Sequence, residues 1–159
     1  MVKIQPVIVW FRDDLRLSDH PGLYEAASRG APVVGVYVHD EQSRALKPPA
    51  ARPLGGATRW WLAQSLRALR SSLEAIGGTL VLRTGPAATV IATLAREINA
   101  GTVFWNGIAQ APHQAVAADV DAALARDGVT SEIFSDDLLV EPRAIRNKEN
   151  RGLRVFTPF

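Results

Sequence analysis

The sequence predicts an α/β fold in which a five-stranded parallel sheet carries helices on both faces. Five segments rich in β-branched and aromatic residues alternate with four segments of helical periodicity, an order typical of doubly wound sheets with right-handed crossovers. The first two apolar segments are continuous, as expected of strands buried on both faces. The predicted strands are Pro6–Phe11, Pro32–Val38, Thr79–Arg83, Thr102–Trp105 and Thr130–Phe134. We therefore expect a single, Rossmann-like domain.

The first two helices are predicted from capping signals and apolar spacing. Ser18 or Asp19 is expected to cap the first helix, and Thr58 the second. Apolar positions of the second helix follow one another by steps of four and three residues, which makes one stripe: Leu62, Leu66, Leu69, Leu73 and Ile76. Because Trp60 and Trp61 are adjacent, we expect only one of them to sit fully on this stripe.

The other two helices begin at prolines. Pro86 opens the third helix and Pro112 the fourth, which ends at Gly128. Each has one apolar face: Ile91, Leu94, Ala95 and Ile98 in the third helix, and Val116, Val120, Ala123 and Leu124 in the fourth. These faces are expected to pack on the sheet.

Two regions break the alternation of strands and helices. Residues 39–57 form a long, irregular link, and links beyond about 12–15 residues are uncommon in compact domains and often functional. The tail after Phe134 is irregular and ends on an apolar FTPF. We therefore expect an α/β domain over residues 1–134 and an irregular tail over residues 135–159.

Composition excludes several classes of protein. Of the 159 residues, 47% are apolar and 21% charged, so a folded chain is expected rather than a disordered one. The net charge of +2 gives this segment alone no strong electrostatic reason to bind nucleic acid. The absence of cysteine excludes disulfides and thiolate metal sites, and the three histidines lie far apart, so no metal site is predicted. With no secretory signal and no apolar run of spanning length, we expect a cytoplasmic protein without a membrane partner.

Polar residues follow three of the predicted strands at their carboxyl ends. In open parallel sheets ligands bind outside these ends, near the point where the strand order reverses. The polar groups are Arg12, Asp13 and Asp14 after the first strand, His39, Asp40 and Glu41 after the second, and Asn106, Gly107 and Gln110 after the fourth. A polar ligand or another domain is one explanation, and an exposed ion pair between Arg12 and Asp13 is an equally supported alternative. Neither a G-x-G-x-x-G motif after the first strand nor a P-loop motif is present.

Four motifs carry a resemblance to a known family. The stretch "VWFRDDLRLSDHPGL" resembles the N-terminal signature W-F-R-x-D-L-R-L-x-D of the DNA photolyase/cryptochrome family. The stretch "RWWLAQSLRALRSSLEAIGGTLVLRTGPA" resembles the family's second long helix and third strand. "VFWN" resembles its fourth strand, and "LLVEP" with "LRVFTPF" resembles the segment that leads out of this domain. The resemblance covers essentially the whole chain in the family's order.

This resemblance implies the N-terminal antenna domain of a light-dependent protein. In the family, this α/β domain holds a light-harvesting chromophore, and a helical domain that binds catalytic FAD and damaged DNA follows the V-F-T-P-F segment. The implied parent is a deoxyribodipyrimidine photo-lyase, a carbon–carbon lyase that splits pyrimidine dimers when excited FAD donates an electron. The helical domain and its catalytic residues are not among these 159 positions, so no catalytic residue is assigned to this chain.

The candidate chromophore-binding residues come from the three strand ends and the long link. Phe11 and Trp105 are candidates for walls that contact a ring, although Trp105 also suits the core. Polar or anionic groups of the chromophore are expected at Arg12, Asp13 and Arg52. Hydrogen bonds to its heterocycle are expected from Asp40, Glu41 and Asn106, with Gly107 beside them, although Glu41 also suits a solvated position.

One departure from the family pattern bears on the chromophore. Many relatives have W-N-R-x-Y-E-P after the fourth strand, whereas this chain has "WNGIAQAP". Gly107, Ala109 and Gln110 replace the Arg, the Tyr and the acidic residue, and in folate-type sites that carboxylate binds the pterin ring. A deazaflavin or a flavin is therefore favoured over a folate, with the absence of any antenna as the alternative.

Two other functions remain open at the level of sequence. A cryptochrome-type blue-light photoreceptor shares every motif quoted above. A stand-alone nucleotide-binding or electron-transfer-flavoprotein-like module is the other alternative. The basic tail favours a solvated turn over a contact with DNA phosphates in the parent protein, because two carboxylates interrupt it; its basic residues are Arg143, Arg146, Lys148, Arg151 and Arg154.

Overall fold

The computed structural model describes residues 4–43, 46, 54–135 and 145–152. The elements follow the chain in the order β1 (Val7–Phe11), α1 (Pro21–Ser28), β2 (Val33–His39), α2 (Gly56–Ala75), β3 (Thr79–Thr84), α3 (Ala87–Ile98), β4 (Thr102–Asn106), α4 (Ala111–Arg126) and β5 (Thr130–Phe134). All five strands lie within one residue of their predicted bounds. Arg52, part of the long link and most of the tail fall outside the described residues.

The strands form one parallel sheet with the order β3-β2-β1-β4-β5. β1 lies at the centre, where Val7 is in register with Val33 of β2 on one side and Thr102 of β4 on the other. From β1 the chain adds β2 and then β3 toward one edge of the sheet. It then crosses back to the other side of β1, where it forms β4 and finally β5 at the opposite edge, so the strand order reverses between β1 and β4. This is the doubly wound, Rossmann-like α/β sheet that the sequence predicts, in a single domain.

The sheet separates two hydrophobic clusters, one on each face. On one face, Phe11 packs with Leu69 and Leu73 of α2. On the other face, Trp10 packs with residues of α3 and α4 that include Ile91 and Val120. All five residues of β1 are buried because the strand contributes alternate side chains to both clusters. The continuous apolar sequence of β1 follows from this double burial.

The first two helices begin elsewhere than predicted. α1 is capped by His20, whose Nδ1 accepts a hydrogen bond from the Leu23 amide at 3.0 Å, and not by Ser18 or Asp19. Pro21 takes the first helical position, which makes the preceding residue the cap. α2 begins at Gly56, two residues before the predicted cap Thr58, and no side-chain hydrogen bond caps it.

The apolar stripe of α2 is only partly buried. Leu69 and Leu73 lie in the core beneath the helix, whereas Ile76 is 68% exposed because it follows the last helical turn. Trp60 and Trp61 are 63% and 69% exposed, so the expectation that one of them sits fully on the buried stripe was wrong. The N-terminal half of α2 therefore extends past the sheet core, toward the carboxyl ends of the strands.

The later helices follow the prediction closely. Pro86 is the residue before α3, and Pro112 lies in the first turn of α4. Of the predicted faces, Ile91, Leu94 and Ala95 are buried in α3, and Val120, Ala123 and Leu124 in α4. Within the described residues, no helix is long and apolar enough to cross a bilayer.

Candidate functional site

Two cavities open at the carboxyl edge of the sheet. The larger, of about 340 Å³, lies beside the ends of β1 and β2 and under the N-terminal half of α2. The smaller, of about 310 Å³, lies beside the ends of β1 and β4, where the strand order reverses. Trp10, Arg12 and Asp13 line both cavities, so they form the wall between them. Both volumes lie at the lower end of the roughly 300–1,000 Å³ typical of small-molecule sites.

One side of the larger cavity is a face of α2. Thr58, Trp61, Leu62 and Ser65 all line it, and their spacing of three, one and three residues places them on one side of a helix. The side of the cavity nearest the sheet carries Phe11 and Tyr37, which are register partners in β1 and β2 and therefore project from the same face of the sheet. Rings and apolar side chains thus dominate two facing walls.

Arg12 is a largely buried cation between the two cavities. Its Nη2 donates a hydrogen bond to the His113 backbone oxygen at 3.1 Å and lies 3.4 Å from Nδ1 of the same residue. Its guanidinium carbon lies 4.7 Å from the centre of the Trp10 ring, a cation–π distance. Burial lowers the pKa of Arg12 to about 10, partly opposed by Asp13, so the group stays charged at neutral pH.

Arg12 retains unused hydrogen-bonding capacity. Among the described residues, its buried Nη1 has no hydrogen-bond partner. A buried donor without a partner costs free energy, and a guanidinium carries five N–H donors that need acceptors. The wall between the cavities therefore contains a charged group with a buried donor that has no hydrogen-bond partner among the described residues.

Two titratable groups near Arg12 are held uncharged. Burial, together with the nearby charge of Asp13, raises the pKa of Tyr37 to about 12, so the phenol remains a hydrogen-bond donor. Burial also lowers the pKa of His113, Asp13 opposes this shift, and Arg12 adds to it. Nδ1 of His113 lies 3.9 Å from Asp13 Oδ2. The larger cavity therefore combines the cation Arg12 and two neutral polar rings with the side chains of Asp13 and Asp40.

In the smaller cavity, polar groups are paired with one another. Asn106 is buried, and its Nδ2 donates to Asp14 Oδ2 at 2.9 Å. Asp14 also pairs with Arg16, whose Nε lies 3.3 Å from Asp14 Oδ1. The Gly107 amide donates to the Phe134 carbonyl at 2.7 Å, which joins the end of β4 to the end of β5. These contacts fix the loop after β4 and satisfy much of its polar surface.

The predicted site residues divide between the two cavities. Phe11, Arg12, Asp13 and Asp40 line the larger cavity, and Arg12, Asp13, Asn106 and Gly107 line the smaller one. The three strand ends therefore do meet at one edge.

Two candidates lie apart from both cavities, and a third falls outside the described residues. Trp105 is fully buried, with its ring 5.7 Å from that of Trp10, so it fills the core. Glu41 is exposed and pairs with His39 at 3.2 Å and with Arg59 at 3.1 Å. The third is Arg52, which the structure does not describe.

Most residues of the larger cavity were not among the predicted ones, including Tyr37, His113 and Trp61. Tyr37 lies within β2, before the polar residues at its end. His113 lies in the first turn of α4, so it reaches the cavity from a helix and not from a strand end. Trp61 is adjacent to Leu62 and does not continue the Leu62–Leu66–Leu69 stripe, so the periodicity of that stripe gave no signal for it.

Comparisons with known proteins agree with this architecture. The family described as DNA photolyase matches residues 7–159. A deoxyribodipyrimidine photo-lyase of Agrobacterium fabrum is 44% identical over 158 residues, which are 99% of this chain and 31% of that protein. The crystal structure of a class III photolyase from Agrobacterium tumefaciens superposes with a TM-score of 0.86 at 43% identity, over 99% of this chain and 31% of that one.

A cryptochrome is also among the structural relatives. The crystal structure of a Synechocystis cryptochrome gives a TM-score of 0.76 at 30% identity, over 85% of this chain and 28% of that one. The chain therefore spans about a third of the length of these relatives. With its sheet order, its strand-end motifs and these matches together, the chain belongs to the DNA photolyase family, of which it is an N-terminal α/β domain.

Proposed function

We propose that this chain is the light-harvesting, chromophore-binding domain of a DNA photolyase, and that its chromophore binds in the larger cavity. The observation that carries the proposal is the cavity itself, which lies on a rigid sheet edge and combines rings and apolar side chains on facing walls with polar groups at the strand ends. An antenna must hold a conjugated molecule in a fixed orientation and shield it from water. Apolar walls with a small number of oriented polar groups meet that requirement.

The polar groups of the larger cavity favour a heterocycle rich in carbonyl oxygens. Arg12 and the neutral phenol of Tyr37 are donors, and the carboxylates of Asp13 and Asp40 supply acceptors, although Asp40 Oδ1 already accepts from the Gln42 amide. The edge of a flavin or deazaflavin ring carries two carbonyl oxygens around an N–H, for which the two donors and one of these carboxylates are suitable partners. This correspondence supports the flavin-type chromophore over a folate.

The residues of the smaller cavity also favour a flavin-type chromophore over a folate. Gly107, Ile108 and Gln110, which line it after β4, offer no carboxylate of the kind that a folate-type site uses at this stretch. The carboxylate of Asp14 in that cavity is already paired with Asn106 and Arg16. We therefore place the chromophore beside β2 rather than beside β4.

The activity of the parent protein is part of the proposal. Residues 1–134 form the antenna domain, and residues 135–159 lead to a helical domain that binds FAD and damaged DNA. Light absorbed by the antenna would excite that FAD, which splits pyrimidine dimers by electron donation. Higher identity to the Agrobacterium photo-lyase (44%) than to the Synechocystis cryptochrome (30%) favours repair over signalling.

Binding of candidate chromophores to the complete chain tests the antenna assignment. Flavin mononucleotide, a 5-deazaflavin and a methenyl-tetrahydrofolate are each titrated while absorbance and fluorescence are recorded. We expect saturable binding of a flavin-type ring with one site per chain, and weaker binding of the folate. If none of the three rings binds, the antenna proposal is wrong, and tighter folate binding overturns the flavin assignment.

Repair is tested in the longer protein that carries the helical domain. The expected result is a loss of cyclobutane dimers from irradiated DNA under blue light, with an action spectrum that includes the antenna band. A protein that holds FAD but leaves dimers intact under illumination would support the cryptochrome function instead.

A further inference from the structure

His113 contacts the buried guanidinium of Arg12 through two of its atoms. Nη2 of Arg12 donates a hydrogen bond to the His113 backbone oxygen at 3.1 Å and lies 3.4 Å from the ring nitrogen Nδ1. His113 lies in the first turn of α4, a helix that is fixed to the core through Val120 and Leu124. On the strand side, the guanidinium carbon lies 4.7 Å from the centre of the Trp10 ring. The position of Arg12 therefore depends on α4 as well as on β1.

The same ring nitrogen of His113 also faces a carboxylate. Nδ1 lies 3.9 Å from Asp13 Oδ2, so it stands between a guanidinium, which donates, and a carboxylate, which accepts. Nδ1 accepts a hydrogen bond from Arg12 when it carries no proton, which requires the neutral ring with its proton on Nε2. Once Nδ1 is protonated it is a donor, and Asp13 becomes its partner while Arg12 is repelled. The protonation state of His113 therefore decides which neighbour its ring binds.

The environment of His113 favours its neutral form at neutral pH. Burial lowers the pKa of His113 below its ordinary value of 6.5, the charge of Asp13 opposes this shift, and the charge of Arg12 adds to it. Acidification below that value therefore places a charge on the ring beside an existing cation.

The other titratable groups near His113 lie across the cavity or further along the helices. Those that line the larger cavity from β2 and its end are Tyr37, His39 and Asp40. The described residues that line it from α2 and α3 carry no charge. Within α4 the next charged residue is Asp119, and Arg96 of α3 pairs with Asp127 at the C-terminal end of α4. Among the described residues, the two charged ones directly after β1 are therefore those through which a proton on His113 acts.

We propose that His113 is the positioning residue of Arg12 and that the larger cavity binds a carbonyl-bearing ring more tightly while His113 is neutral. The inference rests on the proposed chromophore site and adds a dependence on pH to it. In the neutral form, His113 holds the guanidinium at the wall of the cavity, where it can donate to a ligand carbonyl. In the protonated form, the imidazolium repels Arg12 and pairs with Asp13, so the ligand loses an oriented donor.

The tautomer of His113 can be measured without a ligand. Nitrogen NMR of the isotope-labelled complete chain distinguishes protonated from unprotonated ring nitrogens, and His113→Asn identifies which of the three histidine signals belongs to His113. We expect an unprotonated Nδ1 and a protonated Nε2 at neutral pH, and a proton on Nδ1 after mild acidification. A proton on Nδ1 at neutral pH would overturn the proposal, because Nδ1 could not then accept from Arg12.

Riboflavin binding measures the consequence for the cavity. Riboflavin carries the flavin ring without a phosphate, whose own titration would overlap with that of His113. Fluorescence titration of the complete chain gives its affinity at neutral and at mildly acidic pH, and circular dichroism shows that the chain is folded at each pH. We expect acidification to weaken binding by about 2- to 12-fold, which corresponds to the net loss of one hydrogen bond.

Three variants separate the titration of His113 from other causes. His113→Asn keeps an acceptor in place of Nδ1 but does not titrate, so its affinity for riboflavin should not change with pH. His113→Ala removes that acceptor and should bind about 2- to 12-fold more weakly than His113→Asn at neutral pH. His39→Gln removes a histidine that lines the same cavity but pairs with Glu41, and it should keep the pH dependence of the wild type.

The outcomes separate this inference from the proposed function. If the wild type binds riboflavin equally well at both pH values, or more tightly at the acidic one, the positioning role is wrong while the antenna site stands. A pH dependence that persists in His113→Asn would also overturn it, because another group would then be responsible. If the wild type binds no planar ring at neutral pH, the antenna site falls and this inference falls with it.

Discussion

The two cavities at the sheet edge differ in how their polar groups are used. In the smaller cavity, beside β4, Asp14 pairs with both Asn106 and Arg16, and the loop is fastened to β5 through Gly107. In the larger cavity, beside β2, an exposed indole stands at the rim, and Arg12, which lines both cavities, has a buried nitrogen without a hydrogen-bond partner among the described residues. The strand reversal alone therefore does not identify the ligand site, because the cavity beside it contains polar groups that already pair with one another.

Among the variants that test this difference between the cavities, a substitution of Phe11 should have the largest effect. Its ring is almost fully buried and belongs both to the core under α2 and to the wall of the larger cavity. Phe11→Ala should lower the free energy of unfolding by about 3–5 kcal/mol and abolish ligand binding in that cavity. Urea denaturation gives the first quantity and ligand titration the second.

Ile108→Ala is the matched truncation at the smaller cavity. Ile108 is only partly buried, so we expect a loss of about 1 kcal/mol or less, with affinity for a flavin unchanged. A comparable loss of affinity in this variant would show that the ligand occupies the smaller cavity.

Arg12 and Arg16 test the electrostatic side of the comparison. Arg12→Gln removes the buried cation shared by both cavities, whereas Arg16→Gln removes the partner of Asp14 at the smaller one. If the ligand accepts from Arg12, affinity should fall by about 10- to 150-fold in the first variant, which corresponds to the roughly 1.5–3 kcal/mol of a charged hydrogen bond. The Arg16 variant should bind within about twofold of the wild type, and the reverse ranking would move the site to the β4 side.

The strands β1 and β2 were predictable because a strand that is buried on both faces has a continuous apolar sequence. β1 and β2 are covered by helices on both faces, and the runs PVIVWF and PVVGVYV give their bounds within one residue. Helix starts were less predictable. The cap of α1 is His20, which is not a common capping residue. The centre of its ring lies 5.1 Å from that of Phe11, and local sequence propensities do not predict such a tertiary contact.

The part of the larger cavity that could be predicted is the set of strand ends. Phe11, Arg12, Asp13 and Asp40 follow from the rule that parallel strands end at one edge. Trp61 and His113 come from helices that cross over that edge, and their position depends on how far α2 and α4 extend past the sheet. Single-sequence periodicity gives the face of a helix but not the end of the sheet that it overhangs.

Asn106 provides a moderate effect that separates stability from binding. Asn106→Ala removes the 2.9 Å hydrogen bond to Asp14 in a buried position, and we expect a loss of about 1–2 kcal/mol in the free energy of unfolding. Ligand affinity in the larger cavity should stay within about twofold, since Asn106 does not line it. A variant that keeps its stability but loses the ligand would contradict the assignment of Asn106 to a structural role.

The smallest expected effect is the pH dependence that His113 contributes. Burial lowers the pKa of His113 in the folded state, with Asp13 opposing and Arg12 reinforcing the shift, whereas the unfolded chain titrates near the ordinary value of 6.5. The unfolded state then binds more protons as the pH falls below that value, so stability should decrease with acidification through this window. His113→Gln should flatten this part of the stability profile, measured by urea denaturation between neutral and mildly acidic pH, whereas His39→Gln, on the opposite side of the larger cavity, serves as the control. A profile of the His113 variant that keeps the full acid slope would place the responsible group elsewhere at the edge.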